Sequence, residues 1–71
     1  MESTKHENIR IYLTNYPDHL DRAHIWAQFY CQSYVRSIFA GEPFDSPEGY
    51  WTYCFLFSDK KDATIFALKW I

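Results

Sequence analysis

The 71-residue chain predicts a small α+β domain in the order β-α-β-α, a two-stranded sheet packed on one long and one short helix. Three observations lead there. IRIYLTN alternates, with Ile9, Ile11 and Leu13 facing one way and Arg10, Tyr12 and Thr14 the other, the pattern of a half-buried strand. From Leu20 to Ala40 there is no proline or glycine, and Gly41 stands where a helix-terminating glycine belongs. YWTYCFLF, residues 50–57, is an apolar run of strand length, followed by the helix-opening sequence DKKD.

Taken in order, residues 1–8 are polar and expected to be flexible, within a single domain spanning 1–71. After the first strand, Asp18 is the expected N-cap, with Asp21 in capping-box register. On a helical wheel Leu20, Ala27, Cys31, Tyr34 and Ile38 form one stripe with Ala23 at its edge, small in the middle. Residues 41–49, GEPFDSPEG, compose a loop. In the last helix Asp59 and Asp62 are the capping acids, and Ala63, Phe66, Ala67 and Trp70 recur at core spacing.

A helix joining two neighbouring strands makes them parallel, so a parallel pair is expected. Volume complementarity selects the inner face of the second strand. The large side chains of Trp51, Tyr53, Phe55 and Phe57 fit against the small alanines of the helices. The outer face then carries Arg10, Tyr12, Thr14, Tyr50, Thr52, Cys54 and Leu56, too apolar for a solvated surface. Two strands are also too few for an independently stable sheet. A second copy or another protein is therefore expected to complete it, with Arg10, Tyr12, Thr14, Tyr50, Thr52 and Leu56 as contact residues. Arg22, Ile25, Trp26 and Phe29, on the outer side of the long helix, form a second candidate contact surface.

Composition narrows the function classes. The net charge of −2 gives no long-range attraction to nucleic acid or anionic membrane. No apolar run approaches the ~18 residues of a membrane span, and the polar start is unlike a signal peptide, so a cytoplasmic location is expected. His19 and His24 stand five residues apart, about 140° around a helix, the wrong spacing for a shared metal ion. Cys31 and Cys54 belong to no CxxC motif. Seven of the nine carboxylates fall at helix starts (Asp18, Asp21, Asp59, Asp62) or in the loop (Glu42, Asp45, Glu48), where capping and solubility account for them. Two glycines cannot make a phosphate-binding loop. The expectation is a non-catalytic chain without metal, cofactor or small-molecule substrate.

The stretch FLFSDKKDATIFALKW resembles a pattern in short accessory proteins of tailed bacteriophages: aromatic-x-aromatic, an acid-initiated turn, Asp-Ala, then Phe-x-Leu-x-aromatic. The matching positions are Phe55, Phe57, Asp59, Asp62, Ala63, Phe66, Leu68 and Trp70, about a quarter of the chain. The resemblance implies no catalytic residues. It implies a small phage-encoded protein that binds and blocks or redirects a host or defence protein in the host cytoplasm. Two other classes are weighed: a single-stranded nucleic-acid binder using Tyr12, Tyr50 and Arg10, disfavoured by seven basic against nine acidic residues, and a minor structural subunit of a virion-like assembly.

Overall fold

A computed structural model, which describes residues 9–71, contains three strands and two helices. The order is β1 (Ile9–Asn15), α1 (Pro17–Tyr30), β2 (Tyr34–Gly41), β3 (Trp51–Phe57) and α2 (Lys60–Trp70). The sheet order is β1-β3-β2, and β3 pairs antiparallel with both neighbours. β1 and β2 are thus parallel to each other with β3 inserted between them. The expected flexibility of residues 1–8 lies outside the described residues.

The α+β class and both predicted strands stand, but the long helix and the two-stranded parallel sheet do not. The segment expected to be helical through Ala40 is helix only to Tyr30, and residues 34–41 form the third strand. Helix α1 also starts earlier than expected. Pro17 takes its first position, where a missing N–H costs nothing and φ is already helical. Tyr16, not Asp18, is the N-cap, and it makes no side-chain capping bond. Asp18 acts from the first turn, where a negative charge suits the helix dipole.

What stops α1 is a clamp from the other end of the chain. Cys31 closes the helix with its N–H on the Ala27 carbonyl at 2.9 Å, and its backbone is extended. The next turn is then held from outside: Ser33 N–H donates to Asp62 Oδ2 at 2.9 Å, and Ser58 N–H donates to the Ser33 carbonyl at 2.9 Å. Asp59 is the N-cap of α2, accepting from Lys61 N–H at 3.1 Å. Asp62, expected as its capping partner, is spent on this distant contact instead. Replacing Asp62 with alanine is expected to cost about 1.5–3 kcal/mol, because a charge-assisted bond is lost and the Ser33 N–H is left unpaired. A urea midpoint that moves less than for an exposed Asp45→Ala control would contradict this.

Strand β2 then has the composition a strand needs, with β-branched Val35 and Ile38 between aromatic Tyr34 and Phe39. Register shifts between Tyr34 and Arg36 and between Phe39 and Gly41 mark bulges on this edge strand. Gly41 ends it at φ +123°. In the loop that follows, Gly49 has φ +94° and lies so near Tyr16 that a Cβ would meet the ring at 3.4 Å.

Both helices lie on one face of the sheet. The core joins Leu13 of β1, Leu20, Ala23 and Ala27 of α1, Cys31, Tyr34 of β2, Phe55 and Phe57 of β3, and Ala63 and Phe66 of α2. Ile9, Ile11, Trp51 and Tyr53 pack against it, so the predicted inner faces of β1 and β3 are the observed ones. The predicted stripe also enters the core, except Ile38, which is on the opposite face and 43% exposed. Phe66 is the centre of the ring packing, with centroids 4.7 Å from Phe55 and 5.3 Å from Phe57.

Candidate interaction surfaces

The outer face of the sheet is built in rows across three strands, because side chains alternate along each strand and partners align across the ladder. Arg10, Leu56 and Arg36 form one row, and Tyr12, Cys54 and Ile38 the next. Thr14 and Thr52 form the third and share a hydroxyl–hydroxyl bond of 2.7 Å. Cys54 and Leu56 are buried, at 3% and 2% exposure, although they face away from the helices. β2 accounts for this, since each central residue now has a neighbour on both sides. Arg10 and Arg36 stand on either side of Leu56 in the ladder, and long cationic side chains commonly cover apolar surface. The chain itself thus supplies the cover that Cys54 and Leu56 were expected to need from another molecule. Five of the six expected contact residues, Arg10, Tyr12, Thr14, Thr52 and Leu56, share this face. Tyr50 does not belong to it in the same way: it precedes β3, and its ring packs edge-on to Tyr16 at 4.6 Å.

The helix side presents a second surface. Arg22, Ile25, Trp26 and Phe29 come together as expected, and they line a groove of about 330 Å³ with Tyr30, Lys69 and Trp70. Phe29 is 78% exposed and Tyr30 69%, with Leu68 of α2 at 81%. Trp26 is not simply outward. It is half-buried and joins the groove to the core, its ring 5.2 Å from Tyr30, 6.4 Å from Phe66 and 6.2 Å from Trp70. Trp70, expected in the core stripe, does pack against the core, and it also forms the α2 wall of the groove, with Lys69 Nζ 5.7 Å from its ring centroid. Its last-turn position gave no sign of this, because α1's approach is set by tertiary packing.

His19 and His24 both pack against aromatic side chains. His19 packs edge-on to Trp70 at 5.0 Å, and His24 Nδ1 is 2.6 Å from the Tyr34 hydroxyl. Cys31 and Cys54 are free, buried thiols on opposite faces of the sheet. Among the described residues no group of three His, Cys, Asp or Glu side chains is placed to hold a metal ion. A cleft of about 570 Å³ opens at the start of α2. Two of its carboxylates are already engaged there, Asp59 with Lys61 N–H and Asp62 with Ser33 N–H. No helix of the described residues is long and apolar enough to cross a membrane.

Burial, followed by the nearby Asp62 carboxylate, pushes the Cys31 thiol above its ordinary 9.0. Burial raises the Tyr34 phenol above its ordinary 10.0, against a smaller opposing effect of its bond with Ser37. Both groups are neutral when protonated, so the unfolded chain releases these protons first as pH rises. Their contribution to stability is therefore complete below about pH 9 and is lost as pH climbs through the raised values. Urea midpoints are expected to fall as pH rises above about 9, and Cys31→Ala should flatten the first part of that fall. An unchanged slope in Cys31→Ala would rule the thiol out as a contributor.

Compared with protein-family models, with curated proteins and with solved structures, the chain matches none.

Proposed function

We propose that the chain is a protein-binding module whose contact surface is the groove between α1 and α2. The observation that carries this reading is the exposure of Phe29 and Tyr30 beside the half-buried Trp26 and Trp70, in a groove walled by two helices. A groove of this kind accepts an apolar helix face, with the rings as anchors. Arg22 and Lys69 at its rim favour a partner helix with acidic flanks. The stretch from Phe55 to Trp70, which carries the resemblance to phage accessory proteins, supplies the α2 wall of the groove through Lys69 and Trp70, and α1 supplies the rest. We extend the proposal accordingly: the module acts without chemistry of its own, by occupying a partner protein and blocking or redirecting it.

Phe29→Asp is the direct test. The side chain is 78% exposed, so stability should change by no more than about 0.5 kcal/mol. Proteins retained by the immobilised wild-type chain should be lost with Phe29→Asp and kept with Phe44→Asp, a change at a fully exposed loop residue. Retention of the same proteins by Phe29→Asp would overturn the reading. Light scattering after size exclusion separates self-association from capture of another protein.

A further inference from the structure

The edge of the sheet at β1 carries a second, independent inference. β3 is bonded on both sides, so β1 and β2 are the two open edges, and they are not alike. β2 is interrupted by two register shifts, a device that commonly spoils an edge for further pairing. β1 is a regular ladder from Ile9 opposite Phe57 to Asn15 opposite Trp51, with no bulge, proline or glycine. Among the described residues no strand pairs with its outer side. The helix layer is open at the same place. Ile9 and Ile11 face that layer but are only partly buried, unlike Leu13 in the same strand. α2 packs over β1 and β3, with Ala63 and Phe66 toward the sheet and Lys69 and Trp70 toward α1. Its remaining flank, on the β1 side, carries Leu68 at 81% exposure and Ile71 at 73%.

We propose that a second copy of this chain docks on this edge, β1 pairing antiparallel with β1 to make one sheet of six strands. The unpaired N–H and C=O groups of the edge call for an extended chain as the occupant. The side chains favour a second copy. A two-fold axis through Tyr12 overlaps the whole strand and keeps both helix layers on one side of the joined sheet. It sets Ile11 of each copy opposite Leu13 of the other, which closes the core over the seam. Arg10, the one charge on the strand, then stands opposite Thr14 and not opposite itself. The two α2 helices run alongside in opposite directions, which suits their dipoles and lets Leu68 and Ile71 of each copy cover those of the other. Residues spaced about 3.4 Å apart make β1 a seam about 24 Å long. With strand and helix layers together about 20 Å deep, the contact buries about 1,000 Å² over the two copies, the size at which specific interfaces begin. The groove between α1 and α2 lies on the other flank of α2 and stays open in the pair, so neither proposal depends on the other.

Light scattering after size exclusion, across a micromolar concentration series, tests it. The wild-type chain should reach twice its own mass and no more. Leu68→Asp should raise the dimer dissociation constant at least about tenfold, because each copy loses an apolar contact. Phe29→Asp, in the groove, should leave that constant unchanged. Tyr12→Cys should cross-link to itself under mild oxidation, since the axis sets position 12 opposite its own copy. The cross-linking is done in a Cys54→Ala background, because Cys54 is the ladder partner of Tyr12 within one chain. Phe44→Cys in the same background, at a fully exposed loop position, should not cross-link comparably. Circular dichroism confirms that each variant is folded. A wild-type chain that stays monomeric through the series would overturn the proposal. So would a dimer weakened by Phe29→Asp and not by Leu68→Asp, which would place the contact at the groove. A dimer in which Tyr12→Cys cross-links no better than Phe44→Cys would overturn it as well.

Discussion

Phe66→Ala is expected to remove about 3–5 kcal/mol of stability. Phe66 is fully buried and touches the two rings at the centre of β3, Phe55 and Phe57, as well as Trp26 of α1. Alanine would forfeit the transfer free energy of the ring and leave a cavity bounded by side chains from three elements. Those side chains are rigid rings, which limits how far the site can collapse. A domain of this length has in total roughly 4–10 kcal/mol. The variant should therefore be largely unfolded at 37 °C, and chemical denaturation at 10 °C is the measurement to make. The neighbouring Ile65, at 44% exposure, is the control: Ile65→Ala should cost far less. Comparable losses from the two would mean that the ring cluster is not the centre of the core.

Ala27→Leu is expected to destabilise by about 1–3 kcal/mol for the opposite reason. Ala23 and Ala27 have no exposed surface, and the helix approaches the sheet at the point where the sheet offers its largest side chains. Three added heavy atoms at position 27 have no space unless α1 lifts away, which would loosen Leu20 and Cys31 with it. The same substitution at Gln28, on the exposed side of the helix, should be close to neutral. The urea midpoint should fall with little change in the denaturant slope, as expected when a native state is strained and not expanded. An unchanged or higher midpoint would show that the small stripe leaves spare volume.

These two residues also show what could be read from the sequence. Pairing small helix positions with large strand positions identified the inner faces of β1 and β3 and the core side of both helices. The capping role of Asp59 was equally legible, since an N-cap is a local contact. The third strand was not. Cys31 and Tyr34 are core residues whether the backbone from 31 to 38 is helical or extended, so the helical wheel could not tell the two apart. No glycine or proline marks the break, and the contacts that hold it, from Asp62 and Ser58, come from residues more than twenty positions away. Missing β2 had two further effects. It made the outer half of β3 look uncovered, and it placed Arg36 on a helix instead of opposite Arg10. The candidate residues on α1 were correctly grouped because they lie within one true helix. Their partners Lys69 and Trp70 depend on how the two helices meet.

The insertion of β3 between β1 and β2 also bears on how the chain can assemble. Until residues 51–57 are in place, β1 and β2 have no ladder partner, since neither bonds to the other. The β2–β3 hairpin can close first, because its strands are joined by the shorter connection, residues 42–50. β1 must then find the free edge of that hairpin, and its nearest pairing, Asn15 with Trp51, closes a much longer loop. A nascent chain emerging from the ribosome would thus carry α1 and two unpaired strands until residues 51–57 emerge. Docking of β1 is the step expected to set the folding rate.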